Sequence, residues 1–324
     1  MDHHFYKLEF RGSVHFGSGA LDDTGKTFHA DTLFSALCQE AVKYGVLEQL
    51  VSAVSEDALR LSDAFPIVGD GQLFLPKPII RIEAQNQSVQ GDSKQKKLLK
   101  KRSYLTWNSF DSFLNGTFRA DEENPLESLG RSGMRTHAAL RGHEDPEPFR
   151  VKAFRFADGN GLYLIAGTRD KSVQALLEQL LDMLSYSGIG GKRSAGFGRF
   201  DWKPLNGARS RAARDWIKSR IQTEGGAGML LSAALPSDQE LDSAMEDAAY
   251  QLSRRSGFVS SETYADVPLR KQDVYLFAAG SCFRHHFQGE LLDVSCGGAH
   301  PVYRYAKAMF LRIDGTSDET EKPA

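Results

Sequence analysis

The stretch SYSGIGGKRSAGFGRF, residues 185–200, contains five glycines and three cations. The segment before it has apolar residues at helical spacing, at positions 173, 176, 177, 180, 181 and 184, which predicts a helix ending at Gly188. The segment after it, GFGRFDWKPL, is typical of a short strand. A helix, a glycine-rich loop and a strand therefore follow one another, and this order limits what the loop can bind.

The glycine loop, residues 188–198, does not match the common nucleotide-binding loops. In the pattern GxxxxGK[ST], Tyr186 occupies the first glycine position, and Arg193 occupies both the hydroxyl position and the third glycine of GxGxxG. Those loops also run from strand to helix, so that the positive helix end faces phosphate. Lys192, Arg193 and the glycine amides can instead meet an RNA backbone, with Phe197 as a stacking face. A glycine-rich turn with solvated cations remains the alternative.

The remaining chain predicts an α+β fold. A half-buried strand from Phe5 to Val14 and a helix in FHADTLFSALCQEAVKYG, with Asp31 as N-cap and apolar residues including Val42 on one face, begin the order of a ferredoxin-like domain. The second half begins with a strand and a helix whose capping box is Ser237 and Glu240, and we interpret it as a degenerate repeat of the first half. Arg254 and Arg255 are predicted at the end of that helix.

Two ferredoxin-like (RRM-like) domains are therefore predicted. The first covers residues 1–205 and carries an insertion at about 76–149. A connector at 206–228, a second domain at 229–314 and a polar tail at 315–324 complete the prediction. Within the insertion, residues 83–102 are polar and end in a basic run, so we expect this segment to be mobile in isolation.

Composition restricts the functional classes. Net charge is only -2 over 324 residues, so a polyanion must be met by a local basic patch. The first residues lack the pattern of a secretory signal, and no apolar run is long enough for a membrane span, so we expect a cytoplasmic protein without a membrane partner. Three scattered cysteines favour reduced thiols over a disulfide framework.

The glycine loop resembles that of the RAMP superfamily of CRISPR-associated proteins, which are built from ferredoxin-like domains. With the segments FHADTLFSALCQEA and GGAHPVYRYAKAMFLRI, the chain resembles one family in particular, the fourth subunits of type III-A Csm effector complexes. The resemblance covers nearly the whole chain. It implies a non-catalytic subunit that binds the 5′ repeat-derived handle of the guide RNA (crRNA) and joins the large polymerase-like subunit to the backbone RAMP subunits.

The resemblance also implies which residues meet RNA. The glycine loop contributes Gly190, Gly191, Lys192, Arg193 and Ser194, and His29 and Asp31 lie beside it at the start of the first helix. His15, near the loop after the first strand, is also predicted to meet RNA. The insertion corresponds to a thumb-like hairpin. On charge alone we add four of its cations, Lys100, Lys101, Arg102 and Arg135.

Two other chemistries are weighed against RNA binding. His15 and His29 could serve acid-base cleavage by an endoribonuclease that processes repeat RNA, but such catalysis requires two positioned groups, and no second group is evident. Cysteines and histidines at 282, 285, 296 and 300 have spacings compatible with zinc, although residues 282 and 285 would point to opposite faces of one strand. We therefore predict neither a catalytic centre, nor a metal ion, nor a cofactor.

Overall fold

The computed structural model describes residues 1–17, 19–80, 93–120, 124–139, 145, 147–223, 225–261 and 263–313. The described chain mixes helices and strands, as expected for an α+β fold. Its helices are α1 (Ala30–Tyr44), α2 (Leu47–Ser55), α3 (Ser93–Lys101), α4 (Phe110–Leu114), α5 (Lys171–Ser187), α6 (Arg211–Gln222) and α7 (Asp238–Met245). Its strands are β1 (Asp2–Phe10), β2 (Ser13–Val14), β3 (Leu59–Leu61), β4 (Phe65–Val68), β5 (Gln72–Pro76), β6 (Tyr104–Thr106), β7 (Gly130–Ala139), β8 (Glu147–Phe156), β9 (Gly161–Thr168), β10 (Phe200–Pro204), β11 (Gly228–Leu230), β12 (Leu252–Arg255), β13 (Val274–Phe277), β14 (Cys282–Phe283), β15 (Gly289–Asp293), β16 (Tyr303–Lys307) and β17 (Phe310–Arg312).

A seven-stranded sheet forms the centre of the first half. Its order is β10-β1-β9-β4-β5-β6, with β3 also paired to β9, and its pairings are antiparallel. Helices α1 and α5 pack against each other and share one hydrophobic core with this sheet. The order β10-β1-β9-β4, with α1 and α5 as crossovers, supports the ferredoxin-like prediction for this half.

Strand β1 is buried on both faces, so the prediction of a half-buried strand is wrong. Tyr6 and Leu8 face the core that contains α1 and α5, whereas Phe5 belongs to a second core on the other side of the sheet. Lys7 is only 1% exposed. Its ammonium lies 2.8 Å from the Asp70 carboxylate and 2.8 Å from that of Glu9, so the buried charge is paired.

Helix α1 confirms its predicted end but not its predicted cap. Gly45 follows the helix in the left-handed conformation, with φ 67. His29, not Asp31, is the N-cap residue, and the first helical amide, of Ala30, donates to the Asp63 carboxylate at 2.8 Å. Val42, predicted on the buried face, is 61% exposed.

The second half differs from the predicted repeat. Between residues 229 and 313, leaving out 262, the strands fall into three small sheets, β14-β11-β17, β12-β13 and β15-β16, and α7 is the one α-helix described. The capping box of Ser237 and Glu240 is confirmed. Asp247, with φ 54, lies just beyond the end of α7, so the chain turns and places Arg254 and Arg255 on β12, not at a helix end.

The two halves share their hydrophobic cores. The core under β4 and β9 includes Leu311 of β17, and the predicted connector contains α6, which buries Ile217 in that same core. In the other core, the hydroxyl of Tyr305 accepts the amide N–H of Leu61 at 2.8 Å, and its ring packs near Phe34. The domain boundaries at 205 and 229 stay a prediction, but the packing across them is continuous.

The insertion is partly described. Strand β6 extends the large sheet beside β5, and β7 and β8 form a ten-residue antiparallel ladder that pairs with β2. Of the segment predicted to be mobile, residues 83–92 lie outside the described chain, and the following Ser93–Lys101 is helix α3. The predicted tail, 315–324, also lies outside the described residues.

Candidate nucleic-acid interface

The glycine loop folds back against the segment that follows β1. The amide of Gly191 donates to the His15 carbonyl at 2.8 Å, and the amide of Gly198 donates to the Ser13 carbonyl at 3.0 Å. Gly190 has φ 95, and a Cβ there would lie 2.7 Å from the His15 carbonyl oxygen. These glycines therefore allow close packing within the protein. The prediction that the Gly191 amide faces RNA is wrong, because His15 already accepts its hydrogen.

Phe197 does not offer a stacking face. Its side chain is 3% exposed and packs with Val151 of β8, while the Arg135 guanidinium lies 5.5 Å from the ring centroid. The Lys192 ammonium lies 4.6 Å from the ring centroid of Phe149, also on β8. Phe197 is therefore a packing residue that joins the glycine loop to the β7–β8 hairpin, and it brings the cations Lys192 and Arg135 onto neighbouring surfaces.

A cleft of about 550 Å³ lies between the glycine loop, the start of α1 and the second half. The residues of the first half that were predicted to meet RNA and that line it are His15, His29, Asp31, Gly190, Gly191 and Arg193. The opposite wall is formed by residues of the second half, Arg255, Ser256, Phe258, Ser260, Lys271 and Arg304. The structure thus unites distant parts of the sequence around one strongly basic cleft.

Asp31 holds the two walls together. Its carboxylate accepts two hydrogen bonds from Arg255, at 2.9 and 2.8 Å, and another from Arg304. Burial would raise the pKa of Asp31, but Arg255, His29 and Arg304 outweigh it and lower the pKa to about 2. Asp31 is 3% exposed and already saturated by cations, so it positions the arginines of the cleft and does not itself present a group to RNA.

His29 lies on the cleft wall beside a buried carboxylate. Its Nδ1 lies 2.7 Å from the Asp63 carboxylate, whose other oxygen accepts the amides of Ala30 and Ala233. Burial disfavours the imidazolium, but the Asp63 charge and hydrogen bond prevail and raise the pKa of His29 above its ordinary value. The imidazole is therefore protonated more readily than an ordinary histidine side chain.

His15 lies at the base of the glycine loop. It is 6% exposed, and its Nδ1 is 2.8 Å from the backbone carbonyl of Lys152 on β8. A Cβ at Gly191 would lie 2.7 Å from the imidazole ring, and one at Gly17 would lie 2.6 Å from its Nε2. His15 thus supports the loop through packing.

An outer groove of about 560 Å³ lies on the other side of the glycine loop. Its lining includes Lys43, Gly190, Lys192, Arg193 and Ser194. The Arg193 guanidinium donates to the Gln39 side chain at 2.8 Å, which fixes it between the two surfaces. Gly190 and Arg193 line both the cleft and the outer groove, so the glycine loop lies between the two.

Family comparisons cover both halves. A model of the RAMP superfamily matches residues 7–201, and a model of the CRISPR Csm4 C-terminal domain matches residues 223–313. The CRISPR system Cms protein Csm4 of Mycobacterium tuberculosis is 40% identical to the chain over 315 residues, which cover 97% of the chain and 98% of the relative. The chain belongs to the Csm4 family. This confirms the resemblance seen in the sequence.

A second Csm4 relative and two solved structures are also similar to this chain. The CRISPR system Cms protein Csm4 of Streptococcus thermophilus is 36% identical over 320 residues, covering 97% of this chain and all of the relative. Among solved structures, a Csm3–Csm4 subcomplex of the type III-A CRISPR-Cas interference complex contains a chain similar in fold, with TM-score 0.63, 15% identity, and coverage of 96% of this chain and 100% of that one. A Csm1–Csm4 cassette in complex with pppApA gives TM-score 0.59 at 18% identity, covering 97% and 98%.

The predicted cations of the insertion do not join the cleft of this Csm4-family chain. Lys100 and Lys101 are exposed at the end of α3. Arg102 donates to the Ala120 carbonyl at 3.0 Å, and its guanidinium lies 5.5 Å from the Phe118 ring centroid. Arg102 therefore has a structural role within the insertion, and only Arg135 reaches the vicinity of the glycine loop.

Sequence reasoning missed the second-half wall of the cleft. The sequence pattern assigns Arg255 to a helix end, and it gives Arg304, within the segment GGAHPVYRYAKAMFLRI, no role of its own. Phe258 lines the cleft and is 60% exposed, whereas Phe197 is buried. Lys271 gives no local signal, because only the packing of the second half against the first brings it to the cleft.

The zinc hypothesis finds no support in the described chain. There, no cluster of three or more histidine, cysteine or acidic side chains is arranged to hold a metal. Cys282 is buried and bonds to the Gly280 carbonyl, His285 pairs with Glu246, and His300 contacts Ser261.

No helix within the described ranges is long and apolar enough to span a bilayer.

Proposed function

We propose that this Csm4-family chain is an RNA-binding subunit of a type III-A CRISPR complex. It binds the 5′ repeat-derived handle of the crRNA in the cleft between its halves and over the glycine loop. The proposal places it in the cytoplasm, where it acts in antiviral defence.

The basic cleft carries this proposal. Arg193, Arg255, Lys271 and Arg304 converge there, although the net charge of the whole chain is only -2. Local concentration of cations is what phosphate binding requires, and the exposed ring of Phe258 offers a surface for an unpaired base. The cleft thus combines backbone binding with base stacking, as expected for single-stranded RNA.

Two neighbours are proposed for the chain. Relatives of the same fold have been solved as a Csm1–Csm4 cassette and as a Csm3–Csm4 subcomplex. By analogy, this chain joins the large polymerase-like subunit to the backbone RAMP subunit. We further propose that the two halves are ferredoxin-like units, the second strongly modified, and that the β7–β8 hairpin is the thumb.

The chain is proposed to be non-catalytic. The competing candidate is an endoribonuclease that processes repeat RNA, and the His29–Asp63 pair on the cleft wall is the observation that favours it. Acid-base cleavage needs a second positioned group, and His15, the other candidate, uses Nδ1 against a backbone carbonyl and is nearly buried. We therefore propose that His29 supports the cleft wall and is not a catalytic residue.

Reversing the loop cations tests the proposal. The double variant Lys192→Glu and Arg193→Glu should bind handle RNA roughly 10- to 100-fold more weakly, since two phosphate contacts become repulsive. Fluorescence anisotropy with labelled handle RNA measures the affinity, and thermal unfolding should be nearly unchanged.

The matched control reverses Arg254 and Arg284, two exposed cations outside the cleft, and should keep wild-type affinity. Equal affinity of the loop variant and the wild type would refute RNA binding by the loop. In the same samples, the RNA should remain intact with both the wild type and His29→Ala. A defined cut that disappears in His29→Ala would support the endoribonuclease instead.

A further inference from the structure

Two cationic side chains on the second-half wall of the cleft have unmet donors. Arg304 is 6% exposed, yet its Nε has no hydrogen-bond partner within the described chain. The ammonium of Lys271, half-buried on the same wall, makes no hydrogen bond or ion pair with any described residue. A buried donor without an acceptor is costly, so the Arg304 Nε lacks an acceptor that a ligand in the cleft could supply, and the half-buried Lys271 ammonium has no described partner to give up.

The charges on this wall do not balance. Arg255, Lys271 and Arg304 face one buried carboxylate, that of Asp31, which Arg255 and Arg304 already saturate. Asp63 is held by His29 and two backbone amides. Burial, followed by repulsion from Arg304, lowers the pKa of Lys271, which is the effect expected of a cation that lacks a counter-ion.

Phe258 and Lys271 both line the cleft, on two short segments that pair with each other. The amide of Lys271 donates to the Gly257 carbonyl at 2.9 Å, and Phe258 lies opposite Arg270. The Arg270 guanidinium lies 5.6 Å from the Phe258 ring centroid, and the ring remains 60% exposed at the cleft. A cation, Lys271, and an exposed aromatic ring therefore both line the second-half wall of the cleft.

We propose that Lys271 and the Arg304 Nε form a phosphate subsite, which holds one phosphodiester group of the RNA while Phe258 stacks on the adjacent base. This inference rests on the proposed RNA binding and assigns the second half a direct share in it. A phosphate carries enough acceptors for both donors, and a half-buried setting strengthens such charge-assisted bonds.

Substitution of Lys271 tests the subsite with the full chain and labelled handle RNA. Lys271→Gln should weaken binding about tenfold and reduce the slope of log affinity against log salt by about 0.7, the value for one lost phosphate contact on a single strand. Unfolding temperature without RNA should stay equal or rise, because an unpaired half-buried cation is removed. Lys271→Arg should restore most of the affinity, and Arg254→Gln, on strand β12 and outside the cleft, should change nothing.

Handle RNAs with single uncharged methylphosphonate linkages locate the contact. One linkage should weaken wild-type binding about tenfold and have no further effect on Lys271→Gln. Phe258→Ala should weaken binding about tenfold with an unchanged salt slope. The subsite is overturned if Lys271→Gln keeps the wild-type affinity and the wild-type salt slope. It is also overturned if this variant loses both affinity and unfolding temperature. In either case the proposal for the glycine loop stands. If the unmodified chain binds no handle RNA, the proposed function itself fails, and the subsite with it.

Discussion

Asp31 illustrates how a buried side chain can serve a binding surface that it does not touch. It belongs to the first half, and both of its arginine partners, Arg255 and Arg304, belong to the second. A buried carboxylate between two guanidinium groups fixes their positions, and the guanidinium groups shape the wall of the cleft. Removal of the carboxylate should therefore affect stability first.

Asp31→Ala should lower the free energy of unfolding by about 3–5 kcal/mol, because it leaves two buried or half-buried arginines without their counter-charge. Urea denaturation measures this loss. The pKa of Asp31 is lowered from 3.8 to about 2 in the folded chain, so its contribution is complete above about pH 4 and is lost as the pH falls toward 2. Between about pH 4 and pH 2, the free energy of unfolding should therefore fall less in Asp31→Ala than in the wild type.

Asp273 provides the matched control, since it pairs with Arg254 at the surface, where its side chain is 37% exposed. Asp273→Ala should change stability by no more than about 1 kcal/mol. Similar losses for the two aspartate variants would show that the Asp31 network adds nothing beyond a surface ion pair.

The glycine loop, at the scale of an element, is held by contacts that only glycine permits. Gly198 has φ 77, and a Cβ there would lie 2.0 Å from the carbonyl oxygen of Ile189. Gly196 has a similar φ of 80, but a Cβ at that position would have no other atom within 4 Å. The two glycines therefore share one backbone requirement and differ in packing.

Gly198→Ala should destabilise the chain much more than Gly196→Ala. Both variants carry the cost of a left-handed alanine, about 1 kcal/mol, but only Gly198→Ala drives a methyl group into the backbone. Urea denaturation compares the two, and handle-RNA affinity should fall only in Gly198→Ala, whose loop must shift. Equal losses of unfolding free energy in the two variants would show that the loop backbone shifts to accommodate the methyl group.

Elements defined by local sequence were predictable, and those defined by distant contacts were not. The helix before the loop, its end at Gly188 and the capping box at Ser237 depend on neighbouring residues, and all three are present. The burial of both faces of β1 and the position of Arg255 depend on packing between the halves, which periodicity does not report. The sequence therefore pointed to residues that line the first-half wall of the cleft, although His15, Asp31 and the Gly191 amide make their contacts within the protein, and it did not predict the second-half wall.

In the whole molecule, the cleft and the hydrophobic cores both form where the two halves of the chain pack together. The first half supplies the glycine loop and the start of α1, and the second supplies the cationic wall, so the site exists only where the halves meet. The same contact between the two halves buries Leu311 and Met309 in one core with Phe65 and Ile165. The geometry of the cleft thus depends on a hydrophobic contact far larger than the ion pairs that line it.

Leu311→Ala should therefore destabilise both halves together, by about 2–5 kcal/mol, as expected for a cavity in a shared core. When Trp107→Phe and Trp216→Phe are also introduced, Trp202 is the one remaining tryptophan and therefore the source of the fluorescence signal. Trp202 packs against the core that contains α1 and α5, not against the core that contains Leu311. Urea transitions followed by this fluorescence and by far-UV circular dichroism should coincide and shift equally, because the halves unfold as one unit. An unchanged Trp202 midpoint beside a biphasic dichroism curve would show that the halves fold independently, and the cleft would then join two separately stable domains.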